Sequence, residues 1–372
     1  MIKNFDSFIN ESKGTNYLLY YSFDWDDNIL NMPTLIRLEK KEGENWEPID
    51  ISTAEFAIVR GDKENYRLLN NNPDEAFSNF RDTGPMGSSV FLEDVKKAVN
   101  EGKLGPSWDD FIECLSNGAL FSIITARGHE SSTIRTGVEW ILDNILSEVQ
   151  LFSMYNNLIR FHYLFDELGE DFPRLLKGVP SENPLIKSYL DNCHFVGVSA
   201  PSRGGSPDNP EKAKEEALLK FMDDVDFAIE KLKQTTNEDW VGMIGFSDDD
   251  IKNVKHVEEL FDNLHNERFQ NIYKLVVKGT KDPSNITKKV TFLEPEKQNE
   301  ATHTIQAPGM ASSIMSFTQY NNMGARLFPG NNQDNDPVAN THRMATDYLT
   351  KQSKEWTKDL KKKSHEGKKI KK

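Results

Sequence analysis

The chain is poor in cysteine, in long apolar runs and in glycine-rich nucleotide-binding signatures, and each shortage removes a class of protein. Its two cysteines, Cys114 and Cys193 in 372 residues, are too few for a disulfide framework or a zinc knuckle. Both lie in apolar runs, where reduced thiols buried in a core are expected. No stretch reaches about eighteen uninterrupted apolar residues, so no membrane-spanning helix is expected. The N-terminus, MIKNFDSFINES, carries acidic residues where a secretory signal has its apolar segment, which points to a cytoplasmic protein with no membrane partner. The eight histidines show no ligand spacing such as H-E-x-x-H, and only His129 is a candidate to line a pocket. G-x-x-x-x-G-K-[ST], G-x-G-x-x-G and G-x-S-x-G are all missing, so P-loop, dinucleotide and serine-hydrolase readings lack their anchors.

Positive charge is also scarce outside one segment. The net charge is −14, yet residues 342–372 hold eleven Lys or Arg against four Asp or Glu, which leaves about −21 on everything before them. A body that acidic repels nucleic acid by bulk charge. The tail, ending KDLKKKSHEGKKIKK, reads as a solubilising lysine run and offers nucleic acid only a weak hold.

What is present is an alternation of short apolar strands with amphipathic helices, the pattern of a parallel sheet wrapped by helices. The strand candidates are Tyr17 to Phe23, Ala119 to Ile124, His194 to Ser199, Val241 to Phe246 and Ile272 to Val277. Helical patterns between them cover Phe91 to Val99, Trp108 to Leu115, Ile134 to Leu146, Pro210 to Leu232 and Asp250 to Leu264. Ser107 and the aspartates 248 to 250 stand where helix starts need caps and acid side chains. The expected fold class is therefore α/β, a three-layer Rossmann-like parallel sheet.

Two stretches interrupt that alternation. Residues 29–107 read as an insertion, or cap, after the first strand, with a β-hairpin turning at Glu42 to Asn45. Residues 147–192 read as further helical or irregular cover. The chain thus divides into a leader (1–16), a core (17–278) carrying the cap insertion, a polar linker or extended arm (279–341) with scattered Met and Phe, and a basic C-terminal helix and tail (342–372).

Chemistry concentrates at the strand ends. The first strand finishes in Phe23-Asp24-Trp25-Asp26-Asp27-Asn28, so Asp24 and Asp26 project the same way past the carboxyl end of a parallel strand, where α/β sheets hold ligands. One carboxylate can attack phosphorus or hold a metal while the other moves protons. The second strand delivers Thr125 and Arg127 in IITARG, and the fourth delivers Asp248, Asp249 and Asp250 in GFSDDD. Carboxylates from two strand ends suit Mg²⁺, a hard cation that takes oxygen ligands and keeps waters.

In this order the motifs resemble those of the haloacid dehalogenase-like superfamily of phosphohydrolases. Asp24 to Asn28 is similar to its D-x-D-x-T/V motif, Thr125 to its second motif, and Asp248 with Asp249 to its acidic fourth motif. Its third motif, a lysine near the start of a helix, is matched by Lys214 in NPEKAKEEALLKF, with Lys212 as the alternative. The resemblance spans residues 17 to about 278. It implies a Mg²⁺-dependent phosphatase that works through an aspartyl phosphate. Asp24 would be the nucleophile, Asp26 the general acid and base, Thr125 the phosphoryl-binding hydroxyl and Lys214 the neutralising cation. Asp24, the backbone carbonyl of Asp26, Asp248 and Asp249 would hold the metal; a G-D-x-x-x-D form would put Phe246 and Asp250 there instead. Arg127 and Asn28 are the candidate substrate contacts, Asn28 standing where Thr or Val is usual. Trp46, Phe56 and Arg60 of the cap are the candidates for specificity, and a phosphate ester is the expected substrate.

The N-terminal segment also resembles the short leader of proteins from large tailed phages, cut after an Ile-x-Glu tripeptide that Ile9-Asn10-Glu11 fits. It implies phage origin, capsid components as partners and a place in the virion as well as the host cytoplasm. A head-packaged structural protein with this fold and no essential catalysis is the alternative function.

Overall fold

The computed structural model describes residues 15–85, 87–161, 172–205, 209–264 and 268–293. The expected leader, apart from Thr15 and Asn16, the arm beyond residue 293 and the basic tail lie outside the described residues. In chain order the strands are β1 (Thr15–Phe23), β2 (Ile36–Glu42), β3 (Asn45–Ile51), β4 (Tyr66–Leu68), β5 (Phe121–Thr125), β6 (His194–Gly197), β7 (Asp239–Asp248), β8 (Ile272–Gly279) and β9 (Thr287–Phe292). The helices longer than one turn are α1 (Thr53–Val59), α2 (Ser89–Asn100), α3 (Trp108–Ser116), α4 (Ser131–Asn144), α5 (Glu148–Arg160), α6 (Pro184–Asp191), α7 (Pro210–Thr236) and α8 (Ile251–Asn263).

The main sheet has six strands in the order β6-β5-β1-β7-β8-β9. Every neighbouring pair from β6 to β8 is parallel, and β9 runs antiparallel at the edge. The fold is thus α/β with a mixed, mostly parallel sheet, compatible with a Rossmann-like architecture. All the expected strands form, and the order reverses at β1: the chain steps outward through β5 and β6, then crosses back to β7 and β8. Right-handed crossovers in opposite directions put their helices on opposite faces of the sheet. Accordingly α4 packs on β6 and α3 on β1, while α7 packs on β5 and β7 and α8 on β7 and β8, the last two helices also touching each other. The carboxyl ends of β1 and β7 lie side by side at the switch point, where such sheets bind ligands.

Residues 36–68 form a second, antiparallel sheet in the order β3-β2-β4. The hairpin turns where expected, with Gly43 at φ 67°, a value that glycine adopts without strain. This unit has its own small core around Ile36, Leu38 and Phe80. It is narrower than the expected insertion of residues 29–107, because Ile29 and Leu30 and, in α2, Phe91, Val95 and Ala98 are fully buried in the main core. Another correction falls at the far end of the sheet. The polar arm expected from residue 279 opens instead with β9, whose Thr291, Val290 and Lys289 pair with Leu275, Val276 and Val277. Among the described residues no helix is long and apolar enough to cross a membrane. Cys114 and Cys193 are buried free thiols, as expected, and burial pushes both thiol pKa values up.

Candidate active site

Helix α7 carries the central cation, and its sequence shows why. Lys214, Leu218, Phe221, Val225, Ile229 and Leu232 recur at helical spacing and are all buried, so the lysine heads an apolar stripe and is carried inside with it. Burial of Leu218, Phe221, Val225 and Ile229, at about 1.5–3 kcal/mol each, offsets the several kcal/mol of desolvating one ammonium. Lys214 Nζ then donates to Asp24 Oδ1 at 2.8 Å and to Asp248 Oδ2 at 2.9 Å, bridging the ends of β1 and β7. Lys212, the alternative, is exposed, and its backbone N–H donates to Asn209 Oδ1 in the helix cap.

Asp248 is fully buried and satisfied on both oxygens. Oδ1 accepts from the backbone N–H of Asp250 at 2.8 Å, and Asn253 Nδ2 lies 3.1 and 3.0 Å from the two oxygens. Asn253, in the first turn of α8, was not singled out from sequence; its place three residues after an aspartate run is the only local signal. Asp250 does not complete a metal site. It caps α8, accepting from Lys252 N–H at 3.0 Å, and pairs with Arg60 at 3.0 Å. Phe246 is core.

Ligand atoms of Asp24, Asp248 and Asp249 lie within 4.8 Å of one another. Oxygens at opposite corners of a Mg²⁺ octahedron are about 4.2 Å apart, so the set fits that ion with small adjustments. Electrostatics favour a cation as well. Burial raises the Asp24 pKa well above the ordinary carboxylate range; Lys214 opposes the shift, and Asp248, Asp249 and Asp26 reinforce it. Burial, with the charges of Asp248 and Asp27, brings Asp249 to about 7. Burial opposes the charge on Lys214, but Asp24 and Asp248 outweigh it and hold the ammonium protonated. One ammonium thus serves more carboxylates than it can neutralise, and a divalent cation would supply the missing charge.

Asp26 and Arg127 meet in a different relationship from the one expected. Arg127 Nε and Nη2 donate to Asp26 Oδ2 and Oδ1 at 2.8 and 2.7 Å, and Nη2 also donates to Thr34 Oγ1 at 2.9 Å. The guanidinium lies over the rings of Phe80 and Phe91, 4.6 and 5.5 Å from their centroids, and Arg127 is 2% exposed. Arg127 therefore holds Asp26, and it also lines the cavity above Asp24. Thr125 Oγ1 lies 3.4 Å from Asp26 Oδ2 at the floor of the site.

Asn28 is a second correction. It is wholly buried, and its Nδ2 lies within 3.0–3.1 Å of Asp24 O, Ser247 O and Ser247 Oγ, while its Oδ1 accepts from Ser107 Oγ at 2.9 Å and Thr280 Oγ1 at 2.8 Å. It ties the loop after β1 to β7, to the residue after β8 and to the residue before α3. Ser107 consequently gives its hydroxyl to Asn28 instead of capping α3. Gly105 closes the same loop: a Cβ there would sit 2.3 Å from the Asn28 carbonyl oxygen.

His129 does not line the cavity above Asp24. It is fully buried with Nδ1 2.9 Å from Asp82 Oδ1, and burial and Arg127, opposed by Asp82, lower its pKa to about 4. Asp82 also accepts from Glu130 N–H and Thr133 Oγ1, at 2.9 and 3.0 Å, so it anchors the inserted unit to the start of α4. Thr53 Oγ1 donates to Asp27 Oδ2 at 2.7 Å, a second anchor. Phe56 and Arg60 of α1 border a cavity of about 360 Å³ that Asp24, Thr125, Lys214 and Asp249 also line. Trp46 is not part of it and stacks instead under Arg67, 4.3 Å away.

No protein-family model, curated protein or solved structure matches this chain.

Proposed function

We propose that the protein is a Mg²⁺-dependent phosphohydrolase of the haloacid dehalogenase-like type, with the inserted unit as its cap and an aspartyl phosphate on Asp24 as its intermediate. The observation that carries this reading is the Lys214 ammonium shared between Asp24 and Asp248, beside a three-carboxylate cluster at the switch point of the sheet. Phosphoryl transfer is chiefly positioning and charge neutralisation, and this arrangement supports both.

Bound Mg²⁺ would neutralise charge on the phosphoryl oxygens. Asp24 Oδ2, the oxygen that Lys214 does not take, attacks phosphorus. The ester P–O bond breaks, and the departing oxygen takes a proton from Asp26 in its acid form. Water then attacks the phosphorus of the aspartyl phosphate and gives its proton to Asp26. The bond to Asp24 breaks, and inorganic phosphate leaves. Lys214 neutralises charge on Asp24 and the phosphoryl group throughout, and Thr125 offers its hydroxyl to a phosphoryl oxygen.

Hydrolysis of a phosphate-ester panel by the full chain and by Asp24→Asn, with and without Mg²⁺, tests this. The expected outcome is turnover that needs both the metal and Asp24. Silence across the panel from protein that binds Mg²⁺ would sink the reading.

A further inference from the structure

The cavity above Asp24 has two further features that bear on what it accepts. Phe56 and Phe77 are half-buried and pack edge to face with centroids 5.6 Å apart, and Phe80 backs them 6.1 Å from Phe77. All three border the cavity. They present an aromatic wall in the same space as the nucleophile, on a unit anchored by Asp82 and by the Thr53 bond to Asp27.

The charges around this cavity are the second feature. Seven carboxylates and four cations line it. Each of those cations already has a carboxylate: Lys214 has Asp24 and Asp248, Arg127 has Asp26, Arg60 has Asp250, and Arg81 has Asp74. One phosphoryl group can be matched by Lys214 and a bound divalent cation. A second anionic group on the same substrate would meet surplus carboxylates and no uncommitted cation among the described residues, and desolvating it there is unfavourable.

Building on the phosphohydrolase reading, we propose that this site takes small phosphate monoesters whose alcohol carries a planar aromatic ring and no second negative group. Bisphosphates, carboxylated phosphate esters and oligonucleotide ends are excluded by the same charge balance.

Matched esters test this with leaving-group reactivity held constant. 2-Phenylethyl phosphate should show roughly tenfold higher kcat/KM than butyl phosphate, the factor expected of one aromatic stacking contact. The ring-carboxylated analogue should fall at least as far below 2-phenylethyl phosphate. Phe56→Leu should shrink the ratio between the two uncharged esters. Ala57→Lys, which places a new cation at an exposed cavity position on α1, should raise activity toward the carboxylated ester selectively. The non-hydrolysable 3-phenylpropylphosphonate and pentylphosphonate, titrated calorimetrically with Mg²⁺ present, supply a readout free of chemistry and should follow the same order. Hydrolysis without ring preference, or with the carboxylated ester equally good, overturns the inference and leaves the phosphohydrolase reading standing. Ring-selective phosphonate binding without hydrolysis of any ester supports the ligand class and removes the phosphohydrolase reading. Absence of both binding and hydrolysis overturns both.

Discussion

Arg127 grips Asp26 through two parallel hydrogen bonds, Nε to Oδ2 at 2.8 Å and Nη2 to Oδ1 at 2.7 Å. A carboxylate held in this way has both oxygens engaged by the guanidinium and presents neither to a leaving group. Asp26 must therefore part from Arg127 before it can act as the acid. Asp26→Asn should then slow alkyl esters, whose leaving groups need a proton, by about 10²–10⁴-fold. Aryl esters with acidic leaving groups should keep a rapid first turnover and stall at the aspartyl phosphate. Burst kinetics on the two ester types read the difference, and equal losses on both would argue against a proton-donating role.

Removing Lys214 separates structure from chemistry. Lys214→Ala should abolish turnover and lower stability by about 3–5 kcal/mol, the usual cost of breaking a buried pair. Because Asp24, Asp248 and Asp249 would then lack the buried Lys214 ammonium, added Mg²⁺ should raise the Tm of this variant more than that of the parent. Thermal melts with and without Mg²⁺ check both statements.

Asp249 makes the metal-free protein sensitive to pH. Its pKa is about 7 in the fold against an ordinary 3.8, so the folded state binds more protons than the unfolded state across that window. Stability from this group is complete below pH 3.8 and is lost as pH rises through about 7. Asp249→Asn should accordingly melt progressively higher than the parent as pH climbs through the window, with Mg²⁺ withheld. Mg²⁺ binding should release protons near pH 7 and weaken as pH falls, measurable by calorimetry in buffers of different ionisation enthalpy. A Tm difference between the two proteins that stays constant with pH would contradict this.

Asn28→Ala leaves the hydroxyls of Ser107, Ser247 and Thr280 and the Asp24 carbonyl short of a buried partner at once. An unsatisfied buried polar group costs about 1–3 kcal/mol, so a loss of at least that size is expected. Denaturant unfolding measures it. Activity surviving in the fraction that remains folded would confirm that Asn28 supports the loop and does not touch substrate.

Much of this arrangement was legible in the sequence because it depends on local pattern. The strands that end in Asp24, Thr125 and Asp248 are continuous apolar runs followed by polar residues, the signature of buried parallel strands. Lys214 could be preferred over Lys212 because it falls in register with the apolar stripe of α7. What stayed hidden depends on contacts across the fold. Arg127 reaches Asp26 from 101 residues away, and its bidentate grip leaves no local trace. Asn28 and Ser107 looked like a substrate contact and a helix cap because each type usually plays that part; only the meeting of the loop with β7, β8 and α3 pairs them. β9 was missed because Thr287–Phe292 is short, bears two lysines and lies at an edge, where propensity is weakest.

The most direct test of the central claim is to trap the intermediate. The full chain is mixed with a ³²P-labelled aryl phosphate and Mg²⁺ and quenched in acid within the first turnover, and the labelled peptide is mapped. The account predicts label on the peptide containing Asp24, released by hydroxylamine as an acyl phosphate must be, and none on Asp24→Asn. Mg²⁺-dependent turnover with no label on Asp24, or turnover that survives Asp24→Asn, would contradict it.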